Sequence, residues 1–146
     1  MRAGRLAVLT AMIAGLGAGL AAAGVVAYVR LAPVDPARWH RPPPQQVHGD
    51  AGTVQGAVRD FAGVSLEQMD RIARAWPRTR PIAGSPGEGL VTYESRSAWI
   101  GFPDYTTLQA VPGGVRAHAR QRFGRSDLGV NQARLDAWAA QLAGDR

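Results

Sequence analysis

The sequence predicts an α+β protein: an N-terminal transmembrane helix, then a small antiparallel sheet of about four strands flanked by two helices. Three observations lead there. An apolar run from Leu6 to Val29 carries no charge and is closed by Arg5 and Arg30. Two stretches with helical periodicity stand on either side of the middle of the remaining chain. Between them, β-rich runs are broken by turns rich in glycine and proline. Strands grouped in sequence between helices suit an antiparallel sheet with its helices on one face.

Residues 1–30 read as the membrane anchor. At about 1.5 Å per residue the apolar run reaches roughly 36 Å, enough to cross a hydrocarbon core of about 30 Å. A cleavable signal has an apolar core of about 7 to 15 residues, so a retained anchor ranks above a removed one, although Ala21, Ala22 and Ala23 offer small residues to a peptidase. Arginines stand on both sides of the run, which leaves the charge rule undecided. The short tail with Arg2 and Arg5 suits an N-inside, single-pass anchor whose C-terminal domain is exported, in a bacterium to the periplasmic side of the inner membrane.

Residues 31–50 read as a proline-rich linker. Pro33, Pro36 and Pro42 to Pro44 lack N–H donors and fix φ, which favours extended polyproline and makes a semi-rigid spacer. Trp39 and His40 within it have two accounts, the headgroup region of a bilayer or packing on the folded domain.

The folded domain is expected over 51–146. Ser65 to Gln68 reads as a capping box opening a helix with an apolar face of Leu66, Met69, Ile72, Ala73 and Trp76, ended by Pro77. Leu90–Ser97, Tyr105–Val111 and Val115–Phe123 are the best strands. Arg78–Ala83 is a fourth, confined to an edge by Pro81. Leu135, Trp138, Ala139 and Leu142 recur at the spacing of a C-terminal helix that buries one side.

Composition excludes more than it identifies. From Leu31 onward there are fourteen basic and eleven acidic residues, a net of +3, and every basic residue is arginine. That balance is no nucleic-acid signature, and nucleic acid is not an expected partner. Cysteine is absent, which removes disulfides, thiolate metal sites and cysteine nucleophiles. His40, His48 and His118 share no metal-ligand spacing, so neither metal nor other cofactor is expected.

Period-two geometry places Arg116, His118, Arg120 and Arg122 on one sheet face, either a solvated surface or a docking face for acidic groups. Arg96 and Arg125 join them as candidates for binding an anion or a partner. Structural roles are expected for Asp104 in the Gly-Phe-Pro-Asp turn, and for Asp127, Gly129 and Asn131 at the corner before the last helix. Trp99, Ile100 and Phe102 form either an exposed apolar edge or part of the core. No catalytic residue is assigned: a serine nucleophile at Ser95 or Ser97 lacks the strand-turn-helix elbow such a residue needs.

Phe123 to Trp138, FGRSDLGVNQARLDAW, resembles the closing signature of the DUF1499 family, uncharacterised membrane-anchored bacterial proteins. Val91 to Tyr105, VTYESRSAWIGFPDY, is similar to that family's central strand and turn, and Leu31 to His40, LAPVDPARWH, to the segment that follows its anchor. Family members often continue Trp-His with Val-Asp-Pro, where this chain has Arg41-Pro42-Pro43. The resemblance implies the architecture and supplies no reaction. The expectation is a non-catalytic interaction module touching membrane lipids through its helix, and an accessory subunit of an integral membrane protein complex. The alternative is a binder of a small amphipathic, lipid-like anion. A hydrolase using Asp104, Asp127 or His118 ranks third.

Overall fold

The computed structural model describes residues 2–44, 51–53 and 56–144. They fall into two compact units, Met1–Pro33 and Val34–Arg146. The first unit is α1, Arg2–Leu31, within which the 25 residues Ala7–Leu31 are long and apolar enough to cross a membrane. Met12, Leu16 and Leu20 are each 66% exposed. A soluble helix would bury such side chains, so this surface is consistent with a membrane anchor covered by lipid.

In the second unit the strands are β1, Ala51–Thr53; β2, Gly56–Ala62; β3, Thr79–Ser85; β4, Leu90–Arg96; β5, Pro103–Val111; and β6, Gly114–Gln121. They form one antiparallel sheet in the order β1-β2-β6-β5-β4-β3. The four predicted strands are present, and β3 lies at an edge, as Pro81 requires. Five strands have seven residues or more, and β1 is a three-residue edge.

The short count in the sequence reading comes from β2. Its sequence, GAVRDFA, offers only Val58 and Phe61 as strong strand formers, and both of its faces are covered. Ala57 and Phe61 enter the core, while Val58 is buried on the opposite face, so the alternation that marks a half-exposed strand is absent.

One face of the sheet carries α3, Leu66–Ala75, and α4, Val130–Gly144. Ser65 and Gln68 form the reciprocal capping box, and the helix stops at Ala75 ahead of Pro77. Val91, Tyr93, Leu108, Val115, Ala117 and Ala119 meet Leu66, Met69, Ile72, Leu135 and Trp138 in one core. Val115, Ala117 and Ala119 point inward, so the period-two reading of β6 holds through Gln121, where the strand ends.

The opposite face is covered as well, which corrects the linker expectation for residues 34–44. A short helix α2, Pro36–Trp39, is capped by Asp35, whose carboxylate accepts from the Ala37 N–H at 3.1 Å. Trp39 is buried and stacks on Tyr105 of β5, with ring centroids 4.2 Å apart. His40 Nδ1 is 3.0 Å from Thr92 Oγ1. Gly84 admits this packing: its φ is +73°, and a Cβ there would stand 2.5 Å from the His40 ring. Residues 45–50, the rest of the expected linker and the site of His48, lie outside the described residues.

Trp39→Ala removes a buried ring and should lower stability by about 3–5 kcal/mol, read by chemical denaturation of the full chain in detergent. A free spacer would give a change near zero.

Candidate functional site

Three rows of side chains cross the face under α2. Val58, His118, Thr107 and Thr92 form the middle row, and Gly56, Arg120, Tyr105, Glu94 and Arg80 the row beside it. The third brings Asp60, Arg116 and Gln109 together. The segment from α2 fastens onto these rows through main chain. The Trp39 carbonyl accepts from Arg120 Nη2 at 2.7 Å and from Thr107 Oγ1 at 3.2 Å. Thr107 Oγ1 in turn lies 3.0 Å from Thr92 Oγ1 and accepts from Arg120 Nη2 at 2.7 Å.

Beside Trp39 an open groove of about 490 Å³ is lined by Arg38, His118, Arg120, Gln121 and Arg122, with Gly56 and Gly124. Four of these residues are basic or titratable, and none is a carboxylate. The Arg38 and Arg120 guanidinium carbons stand 5.2 and 5.5 Å from the Trp39 ring centroid. Arg122 lies beyond the end of β6 yet stays at this face, donating to the Tyr105 hydroxyl at 3.2 Å.

Electrostatics distinguish this groove from the rest of the face. Burial, then the positive charge of Arg120, pushes the His118 imidazole down to about 4, so it is neutral near pH 7. Burial and the charge of Arg41 also lower Arg120. Buried His118 Nδ1 and Arg120 Nε find no hydrogen-bond partner among the described residues. A positive charge held this way, with no carboxylate beside it among the described residues, is one that an anion would stabilise.

The other sequence candidates behave differently. Arg116 is neutralised by Asp60 through two contacts at 2.6 and 2.7 Å. Arg96 donates to buried Glu94 at 2.8 Å and to the Gly101 carbonyl at 3.2 Å, while Arg80 holds the other Glu94 oxygen. Arg125 is exposed in the loop after β6, outside the groove lining. His118, Arg120 and Arg122 therefore meet, whereas Arg96, Arg116 and Arg125 do not join them. Arg38 was missed. The only signal for it was adjacency to Trp39, and that became meaningful only once Trp39 was seen to pack on β5.

Asp104 does not close the Gly-Phe-Pro-Asp turn. Ser97 does, its Oγ accepting from the Gly101 and Phe102 N–H groups at 3.1 and 2.9 Å. Asp104 is instead a strand residue on the helical face, accepting from Arg134 Nη2 at 3.0 Å. Burial raises its carboxyl pKa, and the Arg134 charge opposes that shift.

Asp127 has the capping role: it accepts from the Gly129 and Asn131 N–H groups at 3.1 and 3.2 Å and from Asn131 Nδ2 at 2.9 Å. Gly129 supplies the positive φ of the corner, +79°, preceded by Leu128 at +53°. Asn131 is a fully buried connector rather than a cap, since its Oδ1 accepts from Arg134 Nη1 at 3.0 Å. His118 lies on the opposite face of the sheet, so the geometry does not assemble it with Asp104 and Asp127.

The pattern of a family described as "Protein of unknown function (DUF1499)" matches residues 32–142. The chain belongs to the DUF1499 family. Neither curated proteins nor solved structures provide a match. The matched range begins before α2 and ends inside α4, so the DUF1499 unit includes the Trp39 segment as part of its fold.

Two predictions follow from the two faces of the DUF1499 unit. Asp127→Ala strands two backbone N–H groups and the Asn131 amide, and is expected to cost about 2–3 kcal/mol in an unfolding titration. For His118 the folded pKa is depressed from 6.5 to about 4, so the unfolded chain binds more protons between those values. Its contribution to stability is complete above pH 6.5 and is lost as pH falls toward 4. Melting temperatures should therefore fall more steeply across that window in the native chain than in His118→Gln.

Proposed function

We propose that this protein is a membrane-anchored, non-catalytic binding module that holds an anionic group in the groove beside Trp39. The observation that supports this reading is Arg120: a half-buried guanidinium fixed by a carbonyl and a hydroxyl, in a groove that contains Arg38 and Arg122 and, among the described residues, no carboxylate. Phosphate and carboxylate oxygens both suit guanidinium donors, and the Trp39 ring beside them suits an apolar stem. A small amphipathic anion is the ligand class.

The anchor completes the reading. With α1 as a single span and Arg2 and Arg5 on the inner side, the DUF1499 unit is exported to the periplasmic face of a bacterial inner membrane. There it meets anions carried by lipids or by neighbouring membrane complexes.

Hexyl phosphate titrated into the full-length protein in a neutral detergent tests the groove, with hexanol as the uncharged control. Hexyl phosphate should raise the melting temperature and hexanol should not. Arg122→Gln should weaken the response at least severalfold, and Arg120→Gln should abolish it. Equal responses in the native chain and in folded Arg122→Gln would refute the assignment.

A further inference from the structure

The groove opens at one end of the sheet, where β4 and β6 finish and β2 and β5 begin. Two loops project from that end, 97–102 between β4 and β5 and 122–129 between β6 and α4. Their apolar side chains are turned outward: Trp99 is 91% exposed and Leu128 90%, with Ile100 and Phe102 partly exposed beside them. Phe102 and Phe123 bring the loops together, with ring centroids 6.4 Å apart. The choice that sequence left open for Trp99 thus falls on the exposed edge.

Arginines stand at the surface of this end. Arg78, whose Nε donates to the Arg96 carbonyl at 2.9 Å, is exposed, as is Arg125, and Arg122 lines the groove. The two loops contain a single acidic residue, Asp127, and its carboxylate is buried in the cap of α4. Arg38 of α2 also lines the groove at this end, together with Gln121, Arg122 and Gly124. Aromatic and aliphatic tips interspersed with arginines are the chemistry of the headgroup layer, where amphipathic rings settle and cations meet anionic lipid.

We infer that this end of the sheet docks on the surface of an anionic bilayer, with Trp99 and Leu128 inserted among the headgroups and Arg78 and Arg125 against lipid phosphates. An exposed tryptophan at a loop tip gains by leaving water only if something apolar covers it, and a lipid interface covers it without a shaped partner. The inference rests on the anchor part of the proposed function and is independent of whether the groove binds a soluble anion.

The absence of cysteine gives a clean experiment. Ile100→Cys and, at the opposite end of the sheet, Glu88→Cys each provide a single site for an environment-sensitive fluorophore in the full-length protein. Each is reconstituted into vesicles of phosphatidylcholine alone or with phosphatidylglycerol. The expected result is a blue shift at position 100 in the anionic vesicles, much reduced in neutral ones, and none at position 88. Adding Trp99→Ala and Arg125→Glu should abolish the shift while the melting temperature is unchanged. A fluorophore at position 100 that stays as water-exposed as the one at 88, or shifts equally in both lipids, overturns the inference. Alkaline flotation of the same vesicles reports separately on the anchor: loss of protein from the lipid fraction refutes the anchor, and the emission still decides the docking.

Discussion

One hydrogen-bonded contact organises this domain: the Arg120 guanidinium donating to the Trp39 carbonyl. It ties the segment that follows the anchor to the middle of the sheet, holds the indole over Tyr105 and forms one wall of the groove. Its energetic character is unusual for a half-buried cation. A carbonyl and a threonine hydroxyl satisfy part of the guanidinium and, among the described residues, no carboxylate balances its charge, so the contact gives geometry at the expense of electrostatic strain. The same feature that fixes the fold is the one on which the proposed anion binding rests.

The contrast with the other arginines on that face makes the point sharper. Glu94 is almost completely buried, and it is shared by Arg80 and Arg96, two cations for one carboxylate. Asp60 takes Arg116 in a two-point contact. Among the described residues, the acidic groups of this face are thus committed at its two flanks, and the centre, where Arg120 stands beside a neutral imidazole, receives none. A row of arginines in sequence is a solvated surface or a binding face depending on where the carboxylates of neighbouring strands fall, and here cross-strand register decides.

That dependence explains what could be read from the sequence and what could not. The capping box at Ser65 and the stop at Pro77 are local chemistry, so α3 was legible to within a residue. The strands with clean alternation, above all β6, were legible for the same reason. β2 was not, because a strand buried on both faces and poor in β-branched residues has no local signature. The grouping of His118, Arg120 and Arg122 was legible from period two, but the subtraction of Arg116 by Asp60 and the addition of Arg38 come from β2 and α2, elements whose placement is non-local. Asp104 was misassigned because a Gly-Phe-Pro-Asp string looks like a closed turn until Ser97, four to five residues upstream of the N–H groups it caps, is seen to do the capping.

The three stretches through which the chain resembles its family converge on β5. From one face Trp39 stacks on Tyr105, and from the other Arg134 reaches Asp104, its neighbour in sequence. Thr106 and Thr107 continue the pattern, the first bonded to Arg134 and the second to Arg120 and the Trp39 carbonyl. Successive residues of a strand point to opposite faces, so one short run of β5 fixes α4 on one side and the Trp39 segment on the other. A motif built this way specifies architecture. It secures the wall on which the groove stands, with Arg120 fixed by the Trp39 carbonyl and with Arg38 and Arg122 at the groove's margin.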